Sequence, residues 1–190
     1  MITIDPPSSA PTHKSTPARS KSGLSQAALS QPALSKSGLT RFLNRAREAV
    51  GLEGEVDVLL TSDAELKRLN RTFRGKNKAT DVLSFPAFEG QSELAGDLAI
   101  SLETAARQAD AFGHSLRDEV RILLLHGLLH LSGLDHETDT GEMAAREDTL
   151  RCELRLPTSL IARVEFKAKP RTAAAKKKTS LKSARRRARA

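Results

Sequence analysis

One helix constrains this chain more than any other segment. Residues 116–132 are apolar nearly all round, through Val120, Ile122, Leu123, Leu124, Leu125, Leu128, Leu129 and Leu131. A helix with no polar face belongs at the centre of a fold. Ser115, with Asp118 three residues on, predicts its capped start, and Gly133 predicts its stop. Two histidines, His126 and His130, lie inside it. A buried imidazole costs free energy unless its nitrogens are bonded, so this pair needs an explanation.

Four residues apart on a helix, the two rings share a face, about 6 Å apart along the axis. Both can reach one ion. Gly133 then breaks the helix, and His136 follows six residues after His130, enough chain to turn back to the same point. Three nitrogen donors leave the fourth corner of a tetrahedron open, which marks a catalytic rather than a structural zinc site. One Zn²⁺ per chain is expected, with a bound water acidified to a pKa of about 7. The His126–His130 spacing alone is more often a satisfied core pair or chance than a metal site. The third histidine, the glycine turn and the apolar helix favour metal. The metalloprotease pattern H-E-x-x-H carries its general base directly after the first histidine, where this chain has Gly127. Zinc-protease chemistry is therefore disfavoured. A general base must come from elsewhere, with Asp135 and Asp81 as candidates; Asp135 alternatively holds a histidine ring in place. His114 precedes the helix cap and reads as a surface residue, and His13 has no evident role.

Around this helix the pattern predicts an amphipathic helix over 38–50, a strand at Glu55–Thr61, and a helix capped by Ser62 or Asp63 that ends near Phe73. A polar loop from Arg74 to Thr80 follows, then strands at Asp81–Phe85 and Gly96–Leu102. Further helices are expected at Glu103–Phe112 and Thr140–Leu154. Strands and helices interleave, giving an α+β (α/β-like) class. The expected architecture is a small mixed sheet of about four strands packed with about five helices, the histidine helix central.

Charge divides the chain into three parts. In residues 1–36, Lys14, Arg19, Lys21 and Lys36 against Asp5 leave +3; in 163–190, twelve basic residues against Glu165 leave +11. The middle, 37–162, holds 15 basic and 21 acidic residues, or −6. The folded domain is expected at 37–162, between two disordered tails. The first tail is rich in Ser, Pro and Ala, a composition shared by bacterial extensions and organelle transit peptides. The second carries Lys176–Lys178 and Arg185–Arg187, runs that either neutralise RNA phosphates or merely solvate the chain. A single cysteine, Cys152, excludes an internal disulfide and fits a reducing, cytoplasmic setting. No stretch is apolar and long enough for a membrane span. Six Phe with no Trp or Tyr leave few platforms for stacking bases.

The residues from His126 to His136 read H-G-L-L-H-L-S-G-L-D-H. This resembles the H-G-x-L-H-L-x-G-Y-D-H signature of the YbeY family of bacterial ribosomal RNA maturation factors, described as single-strand-specific endoribonucleases. Asn70–Pro86, N-R-T-F-R-G-K-N-K-A-T-D-V-L-S-F-P, is similar to the family's L-N-x-x-Y-R-x-x-D-x-P-T-D-V-L-S-F-P. Gly96–Thr104 matches a third block, and the likeness covers about residues 38–160. Leu134 and Phe73 stand where tyrosine is usual, Asn77 replaces Asp and Ala79 replaces Pro. No expected metal ligand is lost.

The resemblance implies zinc ligation by His126, His130 and His136, and RNA binding or cleavage by Arg74. A guanidinium suits this role, since it grips phosphoryl oxygens in a bidentate way; a surface ion pair with Asp81 or a neighbour is the plainer alternative. Lys76 and Lys78 add charge on the same loop for substrate binding, or are simply solvated. The implied activity is cleavage of single-stranded rRNA in maturation of the 3′ end of the small-subunit (16S) RNA and in ribosome quality control, with the small ribosomal subunit or its proteins as partner. The rival readings are a non-catalytic assembly factor with a structural zinc, and a zinc hydrolase of another substrate.

Overall fold

The computed structural model describes residues 1–5, 34–88, 90 and 93–157. In chain order the elements are β1 (Ile2–Ile4), α1 (Lys36–Val50), β2 (Glu55–Thr61), α2 (Asp63–Arg74), β3 (Val82–Pro86), β4 (Leu94–Ser101), α3 (Leu102–Phe112), α4 (Leu116–Leu131) and α5 (Glu142–Leu154). Four strands form one sheet in the order β1-β2-β4-β3. β1 and β4 each run parallel to β2, and β3 closes the edge antiparallel to β4. The α+β reading holds, and each helix start and stop falls within two residues of its expected place.

Serine hydroxyls set most of the helix starts. Ser62, Ser101 and Ser115 each accept a backbone N–H from three residues on, satisfying donors that the first helical turn leaves orphaned. Alternation along β2 buries Val56, Val58 and Leu60 on one face. Those residues join Leu98 and Ile100 of β4 under α1 and α4, where Leu123, Leu124, Leu128 and Leu129 are fully buried. On the opposite face a smaller core forms where Leu66 of α2 meets Leu83 and Ala99. The histidine helix is thus held on several sides, as its all-round apolar sequence requires.

The N-terminal stretch departs from expectation. Disorder is predicted over 1–36, yet Ile2–Ile4 form the parallel edge strand, with Ile2 paired to Val58 and only 1% exposed. Ser35 already caps α1. Three residues are too few to show an alternating period, so burial of Ile2 leaves no local signature. The expectations for 6–33, including His13, and for 158–190 lie outside the described residues.

Candidate metal centre

His126 and His130 sit one turn apart on α4, with their Nε2 atoms 3.2 Å apart. That separation approaches the edge of about 3.4 Å that a tetrahedral ion with bonds of about 2.1 Å would demand. After α4, Gly133 takes a positive φ of 91°, and the Leu134 N–H returns to the Leu129 carbonyl at 3.1 Å. This left-handed step reverses the chain as a glycine-based helix stop does. The Asp135 carboxylate then closes the next turn, accepting from the Glu137 N–H at 3.1 Å and the Thr138 hydroxyl at 3.3 Å. His136 is thereby brought back to the pair. One donor atom from each of the three rings lies within 4.8 Å of the other two, so the cluster could hold a metal ion.

The three rings differ in setting. His126 is buried at 5% exposure, His130 is half-buried and His136 is exposed. Burial, followed by the neighbouring His126 and His136, pushes the His130 pKa below its ordinary value, while Asp135 opposes the shift. A neutral ring keeps the lone pair that a metal requires. Nδ1 of His126 makes no hydrogen bond of acceptable geometry, and the Glu147 Oε1 atom lies 3.5 Å from it. Glu147 is 1% exposed and comes from α5. A carboxylate beside Nδ1 favours the proton there and turns the Nε2 lone pair toward an ion.

The sequence offered Asp135 as the carboxylate that holds a histidine ring, and Asp135 or Asp81 as general base. Asp135 instead serves the turn. Asp81 is also occupied: one of its oxygens accepts from the Thr80 hydroxyl and the Val82 N–H, the other from the Gln108 amide at 3.0 Å. The signal for Glu147 was present but faint. It lies on the α5 stripe Met143, Leu150, Leu154, where every other residue is apolar. His114, expected at the surface, is half-buried and paired with the fully buried Glu119.

Gly127 also gains a reason. A Cβ there would stand 2.7 Å from Leu98 Cδ2 and 3.4 Å from Ser84 Oγ, because α4 rests directly on β3 and β4. The glutamate of an H-E-x-x-H motif has no room at this position.

A groove of about 1360 Å³ contains the cluster. Arg74 and Asp135 line it along with the three histidines. Arg74 ends α2 beside Gly75, is exposed, and makes no ion pair among the described residues, so the expected alternative pairing with Asp81 is not seen. Lys76 and Lys78 are exposed but outside the lining. Their loop is held by buried Asn70, whose amide donates to the Lys78 carbonyl at 2.7 Å. No described helix is long and apolar enough to cross a membrane.

Fold and site together define a class: an α+β domain presenting a three-histidine centre at the edge of a mixed sheet. The chain belongs to the YbeY family, whose model, described as endoribonuclease YbeY, matches residues 25–155. It is 57% identical over 141 residues to the endoribonuclease YbeY of Koribacter versatilis, covering 74% of this chain and 89% of that protein. The protein of the same name from Solibacter usitatus is 54% identical, over 67% of this chain and 84% of its own length. A solution structure from Thermotoga maritima aligns at 27% identity with a TM-score of 0.46, over 77% of this chain and 95% of that one.

Proposed function

We propose that this chain is a zinc-dependent endoribonuclease that cuts single-stranded RNA. Its substrate on this reading is precursor 16S rRNA near the 3′ end, met on the small ribosomal subunit in the cytoplasm, with ribosome quality control as a wider task. The observation that carries the reading is the convergence of three imidazoles and the unpaired Arg74 in one groove. The activity named for the family supports RNA as the polymer.

His126, His130 and His136 would hold the ion; when bound, it supplies Lewis acidity toward phosphoryl oxygens. Arg74 grips the scissile phosphate through its planar fork and stabilises the charge that develops there. Glu147 holds the His126 tautomer. The Asp135 carboxylate is kept below its usual range, first by the Glu137 N–H and also by the Thr138 hydroxyl and the nearby His130 and His136. A carboxylate held low is a weak proton acceptor at neutral pH, which favours a turn-forming role over that of general base. Lys76 and Lys78 would meet backbone phosphates beyond the scissile one, and the basic 163–190 stretch would offset the acidic middle.

The test is incubation of metal-quantified protein with a single-stranded precursor fragment, beside His130→Ala and Arg74→Ala proteins shown to be folded. Cleavage that falls sharply in both variants is expected. Equal cleavage by all three would reveal a contaminating nuclease. No cleavage by the metal-loaded wild type would move the assignment to a non-cutting assembly factor.

A further inference from the structure

The chain has six phenylalanines and no Trp or Tyr. Among the described residues three of them are exposed: Phe73 at 64%, Phe88 at 85% and Phe112 at 40%. All three line the same groove as Arg74 and the histidines, together with half-buried Phe85. Phe112 stacks on the His114 ring. The other three come from two elements that meet at the groove. Phe73 precedes Arg74 at the end of α2, while Phe85 and Phe88 belong to β3 and the segment after it. Phe73 and Phe85 meet edge to face with centroids 5.3 Å apart. Four of the five described phenylalanines therefore line the groove of the candidate phosphate grip, three of them exposed.

We infer that Phe73, Phe85 and Phe88 form a stacking shelf for unpaired RNA bases, and that this shelf makes the groove selective for single strands. The inference rests on the ribonuclease reading above and names how its substrate is held. An unpaired base offers a π-face to an aromatic ring, whereas a base inside a duplex has both faces covered by its neighbours. The charge pattern fits this polarity. Arg74, adjacent in sequence to Phe73, meets the phosphate. Farther along the groove, Asp57 and Asp97 are register partners on β2 and β4. Asp57 is paired with the Met1 amine, which leaves the Asp97 carboxylate to repel phosphates and accept from the amino groups of bases, so the bases rather than the backbone face this part of the sheet. A purely apolar partner would gain nothing from these flanking charges.

The test uses the full chain and a short phosphorothioate 2′-O-methyl oligonucleotide that resists cleavage and carries 2-aminopurine. The same backbone without bases and a duplex of the same sequence serve as controls. Wild type should bind the single strand at least about tenfold more tightly than either control and should quench the 2-aminopurine, as stacking does. Phe73→Ala and Phe88→Ala should each lose about tenfold in single-strand affinity, while Phe88→Tyr retains it. Both alanine sites are exposed, and a thermal melt verifies the fold. Equal affinity for the abasic backbone, or alanine variants that bind like wild type, would overturn the shelf. So would variants that keep RNA binding but lose association with purified small ribosomal subunits, since the surface would then be a protein contact. Shelf-dependent binding by a wild type that never cuts would support the shelf and sink the nuclease reading; normal cutting and binding by both alanine variants would do the reverse.

Discussion

Glu147 and His126 face each other 3.5 Å apart across the α4–α5 contact, the carboxylate 1% exposed and the imidazole 5%. Supporting carboxylates of this kind raise the basicity of a ligating ring and fix its orientation. Glu147→Gln keeps the volume and removes the charge. Metal affinity, measured by competition with a chromophoric chelator, should fall about 10- to 100-fold, with the fold intact. An unchanged affinity would mean that Glu147 only fills space.

Gly127→Ala decides between two opposed effects. Helix propensity alone would stabilise the protein by up to about 1 kcal/mol. The added methyl, however, would stand 2.7 Å from a Leu98 side chain that is itself only 1% exposed, so that side chain has little room to yield. Overpacking of this kind costs about 1–3 kcal/mol. Denaturant unfolding should therefore show net destabilisation, relieved by adding Leu98→Val. A more stable Gly127→Ala protein would contradict the packing argument.

Asp63 links two helix starts. It accepts from the Ser101 hydroxyl, the Thr104 hydroxyl at 2.6 Å and Arg107 at 2.8 Å. Burial raises its pKa, but those three donors outweigh burial and hold it below 3.8. A depressed carboxylate stabilises the fold fully above its unfolded pKa, and that stability is lost as pH falls through the folded value. Asp63→Asn should therefore lower the melting temperature near neutrality. The gap between the two proteins should close as pH drops below about 4. A gap constant from pH 7 to pH 2 would show that geometry, not charge, sets the contribution.

Arg74→Lys tests shape against charge. Lysine keeps the charge but is a point donor without the planar fork. If Arg74 clamps a phosphate in the transition state, single-turnover cleavage should drop about 100-fold or more. Stability should stay within about 0.5 kcal/mol, because Arg74 is exposed and forms no ion pair among the described residues. Full activity in the lysine protein would reduce Arg74 to general electrostatic attraction.

The metal cluster was legible in the sequence because helical spacing, a glycine stop and a following histidine all act locally. Strand β2 was legible residue for residue for the same reason. What stayed hidden depends on tertiary placement. Ile2 becomes core only because β2 lies ready to pair with it. Glu147 shows only as a charge on the apolar stripe of α5, and its partner His126 is fixed only when α5 is laid against α4. Phe73 and Phe88 are fifteen residues apart, and only the turn back along β3 brings both to one groove. The strand order β1-β2-β4-β3 has no local code at all.

The three imidazoles are unequally anchored: two ride on the most buried helix, and the third hangs from an exposed turn. An ion held there need not wait for the core to melt before it leaves. Swinging His136 aside would open the site while α4 stays packed, so exchange of a bound ion would be set by a turn and not by global unfolding. Chelators should strip such a site within the lifetime of the folded molecule. An ion held there would then reflect the metal pool around the mature protein, not whichever ion was present when the chain first folded.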